Sequence, residues 1–360
     1  MKQILISGYL GFSNFGDEAL LSILVRDLLK LGIPRNNISV ISNDYVSTIN
    51  NFNVKAINRK NFFEIVAGVL NCNSIIFVGG LFQDKTSFRS FLYYYFQLIL
   101  AEFTGKEVIF CGAGIGPFQR GITQTLFKFG IKSVSMLTLR DPGSNNVISH
   151  EKSLIVTCDP AWSIKPDFNF QDLIPQINWK LPILGVAVRG DKNLQMRHLK
   201  DLADKIAKIA TSTKDWQVVL IPCMPLEDLP IEYELYDLLS KRMIDKNKLI
   251  LLDNFSDFPI LQQAGIIGAC DVMISMRYHA LLVALANEKP VFGLIYDQKV
   301  KSLLEFSGQV GVSFKDDLEK PWSYFWQNLK YSSNKAREAK ERAQELHNIN
   351  IEFLEKILLS

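Results

Sequence analysis

GYLGFSNFGDEAL, residues 8–20, follows the short apolar run Ile4-Leu5-Ile6 and leads into an apolar-periodic segment from Ala19 to Leu31. A strand, a Gly/Asn-rich turn and a helix start form the usual anion cradle of α/β proteins, because a helix N-terminus presents unpaired N–H groups. The spacing is not G-x-G-x-x-G, however. No acidic residue clearly ends the second strand, Ile38-Ser39-Val40-Ile41-Ser42-Asn43. Asp17 and Glu18 sit where a nucleotide loop would want bare backbone N–H groups. The pair suits a site that handles hydroxyls or protons; its structural alternative is stabilisation of the helix N-terminus.

Outward from this stretch, apolar strands alternate with longer helical patterns, which predicts parallel sheets. In the first half the pattern places strands near 3–7, 38–42, 74–78, 107–111, 136–139 and 154–157, with helices near 18–31, 61–70, 88–104 and 121–132. Periodicity is lost from Trp162 to Leu181, a segment that holds Pro166 and Pro175. A second series follows: strands near 183–188, 217–222, 249–252, 271–274 and 290–294, with helices near 197–211, 231–242, 257–269 and 278–287. The reading is α/β, with two Rossmann-like doubly wound domains facing a cleft. It divides the chain into an N-terminal domain (1–165), a linker (166–181), a C-terminal domain (182–334) and a C-terminal helix (335–360).

The 360 residues suffice for two ordinary domains, and the formal charge of +3 is spread along the chain. No basic block argues for nucleic acid. Five cysteines, at 72, 111, 158, 223 and 270, lie singly, with no C-x-x-C and no His/Cys ligand spacing. They are expected to be reduced thiols in a cytoplasmic protein without a metal. The N-terminus does not read as a signal peptide. FRSFLYYYFQLILAEF, residues 88–103, is too short to span a bilayer and carries Arg89 and Glu102. This aromatic helix either packs the core or offers a membrane-facing patch centred on Tyr93, Tyr94 and Tyr95.

In open parallel sheets ligands bind beyond the carboxyl ends of the strands. Three glycine-bearing loops open there, at Gly8/Gly11, Gly79/Gly80 and Gly112/Gly114/Gly116, either as tight turns or for close backbone approach to a ligand. Arg140 directly follows a strand, as an anion clamp or as an ion-pair partner of Asp141 or another carboxylate. Asp159 before Pro160 either shapes a turn or takes part in chemistry. In the second half Arg189 ends one strand, and Arg277 and His279 stand where another strand gives way to a helix. Lys299 lies past the next strand. Together Arg277, His279 and Lys299 would form a positive pocket for a small, highly charged donor.

With these residues assembled, the chain resembles the bacterial polysaccharide pyruvyl transferase family over nearly its whole length. The likeness rests on GYLGFSNFGDEAL, GGLFQDKTS (79–87), CGAGIGP (111–117), LRDPGS (139–144), CDPAW (158–162), SMRYHALLVAL (275–285) and PVFGLIYDQKV (290–300). Two departures are visible: a shorter glycine run at 79, and Gly190-Asp191-Lys192 where relatives often place Pro and an aromatic. The resemblance implies a two-domain fold like that of GT-B glycosyltransferases, with phosphoenolpyruvate as donor and no other cofactor. It implies transfer of pyruvate as a ketal onto two hydroxyls of one sugar, typically the 4- and 6-positions of N-acetylmannosamine, in a lipid-linked precursor of a cell-wall polymer. Peripheral association with the inner face of the membrane would fit such an acceptor.

On this reading the donor is bound by Arg140, Arg277, His279, Lys299 and Arg189. His279 protonates the enol methylene or assists phosphate departure, as an imidazole can near neutral pH. Asp17 or Glu18 orients or deprotonates the sugar hydroxyl. The acceptor side comprises Gly8, Gly11, Asn14, Asp17, Gly80, Gln83, Asp84 and Gly114. Two alternatives stand beside it: a glycosyltransferase of the same build using a nucleotide sugar, and a non-catalytic sugar-binding or scaffold protein.

Overall fold

The computed structural model describes residues 2–84, 87–132, 134–141, 154–211, 215–243 and 245–360. Two compact units divide the chain. The first comprises Met1–Phe12, Asp17–Ser163 and Ala343–Ser360; the second comprises Ser13–Gly16 and Ile164–Arg342.

The first unit is built on a wholly parallel sheet. Its strands are β1 (Ile4–Ser7), β2 (Ile38–Ser42), β3 (Lys55–Asn58), β4 (Ser74–Phe77), β5 (Gly80–Leu81), β6 (Glu107–Ile115), β7 (Met136–Leu139) and β8 (Leu154–Val156). They run in the order β3-β2-β1-β4-β6-β7-β8, with β5 paired to the far half of β6. Runs such as Ile4-Leu5-Ile6 and Ser74-Ile75-Ile76-Phe77 are buried throughout, as strands covered on both faces must be. The connecting helices are α1 (Phe15–Lys30), α2 (Tyr45–Phe52), α3 (Phe62–Asn71), α4 (Phe88–Phe103) and α5 (Gly121–Gly130). Helices α3, α4 and α5 lie side by side over a core that includes Phe77, Phe82, Phe91, Phe110 and Phe127.

The second unit repeats the plan with β9 (Ile183–Ala187), β10 (Gln217–Leu220), β11 (Leu249–Leu251), β12 (Val272–Ser275), β13 (Val291–Ile295) and β14 (Val310–Ser313). The order is β11-β10-β9-β12-β13-β14, all parallel. Its helices are α6 (Met196–Ala210), α7 (Pro225–Ser240), α8 (Ile260–Ala269), α9 (Tyr278–Ala286), α10 (Gln298–Ser307) and α11 (Glu319–Gln327). In each sheet the strand order reverses once, between β1 and β4 and between β9 and β12. The loops at the carboxyl ends of those four strands are therefore the places where an open sheet offers a crevice.

A last helix, α12 (Leu329–Leu358), ends the chain. Its final turns, from Ala343 on, belong to the first unit. Thr157 donates to Asn350 at 2.9 Å, His347 Nε2 lies 3.1 Å from Asp27 Oδ2, and Leu354 and Leu358 are buried. Residues 166–181, expected as a linker, group with the second unit: Gly265 has no room for a Cβ because the Asp167 carbonyl and the Phe170 ring press on it.

Some elements were not foreseen. The β3 stretch is a half-exposed edge strand with no apolar run. Helix α2, YVSTINNF, is rich in polar and β-branched residues; its ends are set by the Asp44 side chain, which accepts from the Ser47 N–H at 2.9 Å, and by left-handed Asn53. Helix α7 starts at Pro225 rather than near 231 and runs through Pro230. As the sixth residue of the helix, Pro230 forfeits the hydrogen bond that an N–H there would give to the Leu226 carbonyl.

Candidate functional site

In the second unit, the turn from β12 into α9 is fixed by Ser275. Its hydroxyl donates to the Ala187 carbonyl at 2.9 Å and accepts the Arg277 N–H at 2.8 Å. Arg277 is thereby held at the N-cap of α9, with its guanidinium buried. Its Nε lies 3.0 Å from both carboxylate oxygens of Asp228, and its Nη2 lies 3.0 Å from Glu227 Oε2. Arg189, beyond the end of β9, reaches the same Glu227 oxygen at 2.9 Å, and its guanidinium lies 5.2 Å from the Tyr296 ring centre. Two guanidinium groups thus converge on one half-exposed carboxylate beside the β9/β12 reversal. Burial disfavours the Arg277 charge, but the Asp228 carboxylate more than offsets this and holds it firmly protonated.

One turn along α7, Glu232 is completely buried. Its Oε1 accepts the Val188 N–H at 3.1 Å, and its Oε2 has no hydrogen-bond partner among the described residues. Burial first, and neighbouring Asp228 second, push its carboxyl well above the usual range. A neutral Glu232 leaves the Arg277–Asp228 pair without an extra buried charge.

His279 is the second residue of α9, half-buried and edge-on to Tyr278 at 5.0 Å. Its imidazole packs on Gly16. A Cβ on Gly16 would lie 1.9 Å from His279 Nδ1, so no other residue fits there without moving the ring. The Ser13–Gly16 turn is anchored within this unit by the Phe15 N–H, which donates to the Cys223 carbonyl at 2.9 Å. Asn14, expected on the acceptor side, therefore belongs to the second unit. Lys299 stands in the first turn of α10, with its ammonium 3.6 Å from the capping carboxylate of Asp297.

The first unit carries the remaining expected residues. Glu18 accepts the Gly11 N–H at 2.7 Å. Burial pushes its carboxyl up to about 7, aided by Asp17 and opposed by the Gly11 and Phe12 N–H groups. Asp17 is buried beside left-handed Gly79, where a Cβ would approach its Oδ1 to 3.0 Å. The glycines have packing reasons. A Cβ on Gly11 would lie 2.1 Å from Ser42 Oγ and one on Gly8 3.1 Å from Val78, so these loops approach neighbouring protein rather than open space. The Arg140 guanidinium occupies the room left by Gly80 and Gly114, which would otherwise place Cβ atoms 3.2 and 2.7 Å from it. Its Nη1 meets buried Asp159 at 2.9 Å. Arg140 is thus ion-paired among the first unit's loops.

Asp84 is also committed to the fold. It accepts the Arg120 N–H at 2.9 Å and the Thr123 hydroxyl at 2.7 Å, capping α5. Burial works against its charge, but those donors and the Gln119 N–H hold its carboxyl below the usual range. Gln83 lies half-buried next to it. Lys85 and Thr86 of the 79–87 motif, and Pro142, Gly143 and Ser144 of the 139–144 motif, lie outside the described residues. The five cysteines are buried free thiols; burial pushes Cys111 and Cys270 up to about 12, so neither is a nucleophile. Among the described residues no group of three or more His, Cys, Asp or Glu could hold a metal ion.

Sequence reasoning passed over Glu227, Asp228, Glu232, Tyr296 and Gly16. A signal existed for the first two: Pro225-Leu226-Glu227-Asp228 is a proline at a helix start followed by first-turn acids. The helix expected near 231–242 left both residues outside it.

A family model described as polysaccharide pyruvyl transferase matches residues 14–298. No curated protein matches the chain. Among solved structures, it is similar to the UDP-GlcNAc 2-epimerase of Neisseria meningitidis bound to UDP-GlcNAc, at 13% identity and a TM-score of 0.62, over 99% of this chain and 100% of that one. It is likewise similar to the Methanocaldococcus jannaschii UDP-GlcNAc 2-epimerase, at 13% identity and a TM-score of 0.62, over 91% and 92% of the two chains. Anabaena HepE, in complex with UDP and glucose, matches at 11% identity and a TM-score of 0.60 over the whole of both chains. At such identities the likeness is one of fold, and the fold is the two-domain, GT-B-like α/β architecture.

Proposed function

The chain belongs to the polysaccharide pyruvyl transferase family, and we propose that it takes pyruvate from phosphoenolpyruvate and attaches it as a ketal to two hydroxyls of one sugar. The acceptor on this reading is an N-acetylmannosamine residue, at its 4- and 6-positions, in a lipid-linked precursor of a cell-wall polymer. No cofactor beyond the donor is invoked. The five unpaired cysteines accord with a cytoplasmic reaction.

One observation carries the donor reading. The Glu227 carboxylate is gripped by Arg189 and Arg277 beside the β9/β12 reversal, at 2.9 and 3.0 Å. Guanidinium groups that hold one carboxylate are suited to hold another, or a phosphate. Glu227 is partly exposed, so a donor bearing both groups can displace or join it. The α9 N-terminus, which has no side-chain cap, adds donors to the same field.

In the reaction, a proton adds to the methylene carbon of the enol while one sugar oxygen bonds to C2 of the donor. The C2–O bond to phosphate then breaks, inorganic phosphate leaves, and the second sugar oxygen takes its place. Two hydroxyl protons are released; one balances the new methyl group and the other leaves with phosphate. His279 is assigned the proton to the methylene carbon, Arg277 and Arg189 the donor's anionic groups, and Lys299 the leaving phosphate. Of the two carboxylates after the glycine loop, Glu18 is the better base, because a carboxyl raised to about 7 can accept a proton at neutral pH.

Phosphate release from phosphoenolpyruvate in the presence of acceptor tests this assignment. Arg277→Ala and His279→Ala should each lower kcat/KM by at least about a hundredfold, the range of lost charge stabilisation and acid catalysis. Turnover near that of the unaltered enzyme in either variant would remove that residue from the mechanism.

A further inference from the structure

The outward face of α3, α4 and α5 does not look like an ordinary protein surface. Phe63 is 81% exposed, Phe103 85% and Phe129 61%, and Phe62, Leu92 and Phe96 are also exposed. Along α4 the exposed positions Arg89, Leu92, Phe96 and Phe103 follow one helical stripe, opposite the buried Phe91, Tyr94 and Leu98. The stripe continues sideways: the Phe62 and Phe96 ring centres are 5.2 Å apart, and α4 packs against both α3 and α5. Isolated exposed apolar side chains need no explanation, but exposed aromatics gathered on three neighbouring helices mark a docking surface.

Charge identifies the partner. Residues 60–71, 88–106 and 120–132 contain Lys60, Arg89, Lys106, Arg120, Lys128 and Lys132 against only Glu64 and Glu102. Several of these cations border the aromatic face directly. The Lys132 ammonium lies 5.7 Å from the Phe129 ring centre, the Arg120 guanidinium lies 5.3 Å from that of Phe88, and Lys106 reaches the Leu70 carbonyl at 2.7 Å. A two-fold dimer through this face would press two patches of the same net positive charge together, because both copies present the same surface. An anionic lipid surface accepts both features, with rings at the headgroup boundary and ammonium groups on the phosphates.

We propose that the α3–α5 face of the first unit docks on anionic membrane lipid. Tyr93, Tyr94 and Tyr95 are not its contact residues. Tyr94 is buried and donates to the Gly8 carbonyl at 3.1 Å, Tyr93 lies under Arg59, and Tyr95 stacks on Phe91. No helix among the described residues is long and apolar enough to cross a membrane, so the contact is peripheral.

Sedimentation of the full chain with phosphatidylglycerol-containing vesicles, beside pure phosphatidylcholine vesicles, tests this. The protein should partition onto the anionic vesicles, less so as salt rises. The Phe63→Ser/Phe103→Ser/Phe129→Ser variant should bind at least about tenfold more weakly, and so should Lys128→Glu/Lys132→Glu. All five positions lie at the surface, and an unchanged circular dichroism spectrum confirms that each variant is folded. Absence of binding by the unaltered protein, or equal binding by the triple variant, would overturn the proposal. So would light scattering that shows a dimer dissociated by the triple variant, without vesicle binding. Vesicle binding is read without turnover, so its failure and failure of the donor reading are separable.

Discussion

A methyl group on Gly16 would sit 1.9 Å from His279 Nδ1, so Gly16→Ala must displace the imidazole. The expected outcome is a loss of kcat of at least about tenfold with about 1–3 kcal/mol of destabilisation, the usual range for overpacking. Unaltered kcat in a folded Gly16→Ala protein would show that the position of the ring is immaterial. Glu18 offers a test by pH. Its carboxyl is raised from 4.5 to about 7, so ionising it opposes folding: the penalty is absent below about pH 4.5, grows as pH rises, and is complete above about 7. Glu18→Gln removes the ionisation, so above pH 7 the variant should be more stable than the unaltered protein by at most about 3 kcal/mol. That gain should vanish near pH 4.5 in denaturant melts. If Glu18 is also the base, the variant loses most of its activity together with the rise in rate through pH 7. A melt difference independent of pH would refute the raised carboxyl.

Helix α12 illustrates what an element's sequence can and cannot disclose. Its charged, periodic pattern is readable as a helix, but not the identity of the surface that receives it. Contacts 185 to 193 residues apart in sequence, such as Cys158 to the Ala343 carbonyl and Thr157 to Asn350, leave no local trace. Leu354 is buried whereas Leu359 is 55% exposed. Leu354→Ala should therefore cost about 2–5 kcal/mol in denaturant unfolding, and Leu359→Ala within about 0.5. Equal effects would mean that the helix end does not dock as described. Strands with buried apolar runs, such as β1, β4 and β12, were legible for the opposite reason: burial on both faces writes itself into consecutive residues. Edge strand β3, capped helix α2 and proline-bearing α7 were not, because tertiary neighbours and caps, rather than periodicity, decide them.

At the scale of the molecule, two parallel sheets of the same winding each bring a loop cluster to the point where strand order reverses. That much of the site was legible, because glycines, arginines and a histidine at strand ends are visible in a single sequence. What could not be read was the partner of each charge: Arg140 is taken by Asp159, Asp84 by the start of α5, and Arg277 by Asp228. Their sequence separations of 19, 36 and 49 residues hide these pairings. Arg277 and Arg189 meet at Glu227, with His279 on the same turn as Arg277. The most direct measurement is analysis of the product after incubation with phosphoenolpyruvate and an N-acetylmannosamine-bearing lipid acceptor. The expected product carries one pyruvate ketal, seen as a new methyl signal, with one inorganic phosphate released per acceptor. An acceptor left unchanged by phosphoenolpyruvate, yet extended by a sugar from a nucleotide donor, would contradict the account.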